Sequence, residues 1–272
     1  MHLILFIKII GGIINMKKLY FMDRNILLWL SGSTLSAFGD VFTSTAIPLV
    51  TFNLTKSARF SALVLLLDIL PLIILSPLIG TIVDKCEKKK IIIISNLISV
   101  LILGSFLIIN NNEWYYLIGN SLISISAKFY STSAKTMLPD IVNDEGVITR
   151  VNSLISLTLK IARILGASLA AIVLGLWGTK ILFMFDAVSF IINMLCVFGL
   201  RLGSEQITEH QNIEKHQYVF MDAVKYFSKD NLFLIMCIVY GGLFFLEGLM
   251  QSQMVVFIKQ YLLLDDMYYA FY

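Results

Sequence analysis

Apolar runs long enough to cross a bilayer, set apart by short polar brackets, constrain this chain more than any other feature. They fall over 26–52, 60–83, 91–109, 114–138, 151–177, 181–200 and 232–258. A hydrocarbon core about 30 Å thick takes roughly 20 helical residues to span, and a soluble core does not need so many runs of that length. Composition agrees: of 272 residues, 58% are hydrophobic and 14% charged, with a mean hydropathy of +0.83. The sequence predicts an all-α, polytopic membrane protein.

One bracket orders the rest. The stretch 80–90, GTIVDKCEKKK, forms a tight hairpin between the second and third runs. Its four lysines, Lys85, Lys88, Lys89 and Lys90, put it on the cytoplasmic side by the positive-inside bias. The amino terminus and the connections 139–150 and 201–231 are then cytoplasmic too, and the turn 110–114, without lysine or arginine, suits the outer face. The expected location is the cell (plasma) membrane, multi-pass, with a cytoplasmic amino terminus.

Five segments follow. Residues 1–25 form a cytoplasmic amino terminus in which 1–15, too short to span and without a small-residue cleavage site, read as a start-site artefact. Residues 26–201 form a six-helix transmembrane bundle. Residues 202–231 form a polar linker whose stretch 218–227 has the pattern of an amphipathic helix lying on the membrane. Residues 232–259 form a seventh transmembrane helix, and 260–272 a short end.

Several chemistries lack their residues. The net charge of +3 comes from lysines beside apolar runs, which speaks for orientation and not for nucleic acid. Cys86, Cys196 and Cys237 are scattered, so neither a disulfide framework nor a metal spacing arises. The sequence has no phosphate-cradling Gly-x-x-x-x-Gly-Lys and no His-Glu-x-x-His, and His210 and His216 have no second pair of ligands. No enzyme, metal or cofactor is expected.

Charges inside apolar runs are costly and turn inward. Those here are Asp40, Asp68, Lys128, Lys160, Arg163, Asp186 and Glu247. At about 1.5 Å per residue, Asp40 lies about 21 Å from the cytoplasmic end of its helix and Arg163 about 20 Å from that end of its own. Equal depth predicts an ion pair, either structural or with Asp40 open to protonation. Asp186 and Lys180 are expected near the outer surface, hydrated. Phe38, Phe42, Phe129 and Tyr130 are candidates to line a pocket, with packing as the other role of such aromatics. The small residues from Gly166 to Gly175 predict a close helix contact.

These motifs resemble the major facilitator superfamily, and within it the exporter branch of macrolide-efflux and siderophore-export permeases. The match rests on Gly80, Asp84, Lys85 and the basic run 88–90 after the second helix. It is joined by Gly39-Asp40 with Pro48, Leu138-Pro139-Asp140, Ala162-Arg163 with Gly166, and Asp186 with Phe190. Where the family carries a proline and a glycine pair after Gly166, Ala167 and Ala170-Ala171 stand.

The resemblance implies an amino-terminal six-helix bundle of 3+3 inverted repeats plus a seventh helix, in a chain truncated after that helix. Its partners are then protons, a small-molecule substrate, the lipid bilayer and a missing carboxy-terminal half or a second chain, and not nucleic acid. It implies a secondary active efflux permease exporting a small amphipathic compound by alternating access, coupled to protons. The alternative is a truncated, non-transporting half-transporter or interaction subunit. Gly80, Asp84, Lys85, Lys88 and Lys89 would form a conformational gate loop, with Asp84 meeting a partner across the two halves. The intramembrane charges Asp40, Arg163, Asp68, Lys128 and Glu247 would serve proton coupling.

Overall fold

A computed structural model describes residues 24–109, 112–142, 144–201, 231–265 and 268–269. The stretch 1–15 and the amphipathic pattern 218–227 lie outside the described residues. Among the described residues seven helices follow one another: α1 Arg24–Thr55, α2 Ala58–Lys85, α3 Lys88–Ile108, α4 Glu113–Ile141, α5 Glu145–Trp177, α6 Thr179–Phe198 and α7 Asn231–Val256. A π-helical turn, Phe257–Tyr261, ends α7. The all-α membrane architecture expected from the apolar runs is thus present.

Local chemistry sets the ends. Asp144 caps α5, its side chain accepting from the N–H groups of Gly146 and Val147 at 2.7 and 3.1 Å. Asn112 does the same for α4 through Trp114 N–H at 3.0 Å. Between α5 and α6 a single residue, Gly178, makes the turn at φ +79°, a conformation that a side chain would strain. Pro71 and Pro77 both lie within one continuous α2.

Six of the seven helices are long and apolar enough to cross a membrane. The exception is α4, whose Asn120, serines, Lys128 and Lys135 lower its average hydropathy. It is held by packing instead, against α2 and α3, and it turns Asn120, Ser126 and Ser133 inward. α3 shows the converse: Ile94, Leu97 and Leu101 face out while Ser95, Asn96 and Ser99 are buried.

The pairing of helices has an internal logic. α1 packs on α6 and α5, α4 packs on α3 and α2, and α3 meets α6. Exchanging α1 with α4, α2 with α5 and α3 with α6 maps each of these contacts onto another of the set. That is the pattern of two three-helix repeats related by a pseudo-two-fold axis.

Close approach at the α1–α6 crossing depends on small residues. A Cβ on Gly32 would sit 2.9 Å from Asn193 Oδ1, and one on Gly39 would overlap the side chains of Asp186 and Ser189. Gly166 of α5 brings that helix onto Val41, where a Cβ would stand at 3.2 Å. The expected close contact at this glycine is made.

The interior has three layers. One apolar cluster, around Phe42, Leu49, Phe106, Tyr116 and Phe183, fills the end opposite the bracket. A second, with Trp29, Ile92, Met137, Leu138 and Val197, fills the bracket end. Between them lies a polar band with Ser36, Asn96, Ser126, Asp186, Ser189 and Asn193, each at most 5% exposed. The bracket end is laced further: Asn25 Nδ2 donates to Arg201 O at 2.8 Å, and Arg201 N–H donates back to Asn25 Oδ1 at 3.2 Å.

Candidate functional site

The polar band opens into a cavity of about 830 Å³ walled by α1, α2, α4, α5, α6 and α7. Its α1 lining lies in the second half of that helix and its α2 lining in the first half, so the cavity reaches from the middle of the bundle away from the bracket. Four carboxylates, Asp40, Asp68, Asp186 and Glu247, share the wall with one guanidinium, Arg163. The formal excess is three negative charges.

Each carboxylate is held differently. Asp40 is exposed to the cavity from the middle of α1. Asp186 lies within electrostatic reach of it and is only 1% exposed. Thr43 Oγ1 donates to Asp186 Oδ2, and Ser189 Oγ donates to its Oδ1 at 3.2 Å. Asp68 of α2 accepts from Ser124 of α4. Glu247 of α7 accepts from Gln251 Nε2, one turn on, at 3.4 Å.

The sequence-predicted residues divide. Asp40, Asp68, Arg163 and Glu247 all line the cavity, but Lys128 is absent from its wall. No ion pair joins Asp40 to Arg163 among the described residues, although both face the same space. Equal depth along two helices fixes height, not the azimuth or reach that a contact needs.

Of the aromatics, Phe38, Phe42 and Phe129 do not line the cavity. Phe42 packs edge-on against Phe185 with ring centroids 6.0 Å apart, in the apolar cluster. Tyr130 lines a smaller pocket on the other side of Asp40. The aromatic rings on the cavity wall are Phe244 and Tyr269.

Asp186 corrects the sequence reading most. Expected near a hydrated surface, it is buried against α1, seven residues into α6 and thus about 10 Å from its start. The signal was present: Asp186, Ser189 and Asn193 recur at helical spacing, a polar stripe on one face of an otherwise apolar helix.

The bracket is a brace as much as a loop. Lys88 pairs with Asp140 Oδ2 at 2.8 Å and donates to Thr136 O at 3.0 Å, tying α3 to α4. Lys89 donates to Phe198 O and Leu200 O at 3.0 and 2.8 Å, satisfying carbonyls that the end of α6 leaves open. Lys90 pairs with Glu87 at 2.7 Å. Asp84 and Lys85 are exposed, and a Cβ on Gly80 would meet nothing within 4 Å, so no close approach occurs there among the described residues.

The sequence model of the Major Facilitator Superfamily matches residues 29–270. The chain belongs to the major facilitator superfamily. No curated protein matches it. As a major facilitator protein it is a multi-pass, secondary membrane transporter, a family that handles small molecules within a lipid bilayer and consists of transporters, not enzymes. The 830 Å³ cavity at the middle of the superfamily bundle has the size of a small-molecule site.

Proposed function

We propose that this major facilitator protein is an efflux permease of the exporter branch, moving a small amphipathic compound out of the cell by alternating access and driven by protons. The observation that carries the reading is the pair Asp40 and Asp186, one open to the cavity and the other buried beside it. Two carboxylates in a low-dielectric site repel when both are charged, and either a proton or a positively charged substrate group relieves the repulsion. Two ligands that compete for one negative charge exchange with each other, which is antiport.

In this reading the protein lies in the plasma membrane with the bracket in the cytoplasm, and the cavity opens outward. Asp84, unpartnered among the described residues at the negative end of α2, awaits a partner from a carboxy-terminal half, on the same chain or a second one. Gly80 leaves room for that partner, and Lys88 and Lys89 supply the fixed base against which the gate closes. A second reading, a half-transporter that works only as an interaction subunit, is favoured by α7, which leaves its apolar side chains uncovered over most of its length.

Uptake of a fluorescent amphipathic cation into everted vesicles tests the first reading. An imposed pH gradient drives accumulation, and Asp40→Asn removes both the accumulation and its dependence on that gradient. Gradient-driven transport that survives Asp40→Asn unchanged would sink the coupling role. Vesicles that show no transport with the unsubstituted chain, and regain it when a carboxy-terminal half is co-expressed, would favour the second reading.

A further inference from the structure

Behind Asp40, on the bracket side of the cavity, lies a second and much smaller pocket of about 20 Å³, room for one water-sized body. Its wall carries Ser36 and Asp40 of α1, Ser95, Asn96 and Ser99 of α3, and Ser126 of α4. Tyr130 adds a further oxygen. Asp40 belongs to both walls, so the pocket is reached from the cavity, while the Trp29, Ile92, Met137 and Leu138 cluster closes the bracket side.

The hydroxyls here behave unlike many others in the bundle. Serine in an apolar helix ordinarily bonds back to a carbonyl one turn earlier, as Ser33 does to Trp29, Ser153 to Thr149 and Ser168 to Ile164. Among the described residues Ser36, Ser95, Ser99 and Ser126 make no such bond. Asn96, 1% exposed, leaves both Oδ1 and Nδ2 without a partner. Buried polar groups left so are costly unless something occupies the space they face.

We propose that this pocket binds one monovalent, oxygen-seeking cation of sodium's size, with Asp40 giving the charge and Asn96 Oδ1 and the serine hydroxyls the remaining oxygens. The pocket's own wall carries one carboxylate, which matches one positive charge, while Asp186 lines the larger cavity and is held by Thr43 and Ser189. The wall has neither thiol nor imidazole, which sets it apart from sites for softer transition metals. Hydroxyl oxygens hold two lone pairs, so a serine can face the ion and still accept from Asn96 Nδ2. The site shares Asp40 with the efflux reading but concerns equilibrium binding, which is measured without transport.

The test melts the full chain, in detergent, in sodium, potassium and choline chloride at equal ionic strength. A ligand that binds the folded state raises the midpoint in a saturable way, and sodium is expected to do so while choline does not. Asn96→Leu and Ser99→Ala each weaken the apparent sodium affinity about tenfold, Asp40→Asn removes the response, and Ser168→Ala leaves it intact. Equal midpoints in sodium and choline, or a full response in Asn96→Leu, overturn the proposal and leave the pocket to internal water. Radioactive sodium retained by the unsubstituted protein and displaced by sodium but not by potassium decides the matter without a variant. Proton-driven efflux is a separate readout: its absence in sodium and in choline buffer alike overturns the proposed function and leaves this site standing.

Discussion

Gly39 and Asp186 show how closely packing and charge are joined at the scale of single residues. Because Gly39 has no Cβ, α1 descends onto α6 until its backbone lies against the Asp186 carboxylate and Ser189. That descent brings Thr43 within hydrogen-bonding reach of Asp186 and sets Asp40 beside it. Gly39→Ala is therefore expected to destabilise the bundle by about 1–3 kcal/mol, the usual cost of overpacking a filled interior. Thermal unfolding in detergent measures it, and a midpoint equal to that of the unsubstituted protein would contradict the packing described here. Asp40 and Asp68 were legible in the sequence because a carboxylate in an apolar run stands out. The neighbours of Asp186 were not, since Gly39 and Thr43 lie some 140 residues away in the chain and carry no charge to announce the meeting.

At the scale of elements, the lysines of the bracket have unequal work. Lys89 caps two carbonyls at the end of α6 and lies 5.8 Å from the centre of the Phe198 ring. Lys85, the last residue of α2, is exposed and makes no ion pair or hydrogen bond among the described residues. Lys89→Met is expected to lower the unfolding midpoint by a few degrees, with Lys85→Met near neutral. Reversal of that order would argue that the run only orients helices. The Lys88–Asp140 pair is about a quarter exposed on each side, so a double-mutant cycle should return no more than about 1 kcal/mol. The helices themselves were readable to within a few residues from apolar length. What the lysines touch was not, because backbone carbonyls at the end of a distant helix leave no mark in the sequence.

For the whole molecule, the exchange of α1–α3 with α4–α6 explains why the polar band sits at mid-depth. Each repeat contributes inward-facing oxygens from the middle of its helices, and apolar clusters remain at the two ends. Accessibility should follow these layers. In a background with Cys86, Cys196 and Cys237 replaced by serine, Ser44→Cys on the cavity wall is expected to react readily with a water-soluble maleimide. Ser133→Cys, at 0% exposure, should stay unreactive until the protein is unfolded. Comparable labelling rates would mean that the band is wet throughout.

The apolar cluster at the bracket end also decides where a voltage would fall. Water conducts and hydrocarbon does not, so the potential across the bilayer drops over the dry plug around Trp29 and Met137 and hardly at all along the wet cavity. Each elementary charge that crosses the full drop gains or loses about 2.3 kcal/mol per 100 mV. In the proposed cycle a proton that reaches Asp40 through the cavity therefore loads almost without feeling the field, and is driven by nearly all of it on leaving past the plug toward a negative cytoplasm. Collapsing the membrane potential should slow unloading and leave loading unchanged.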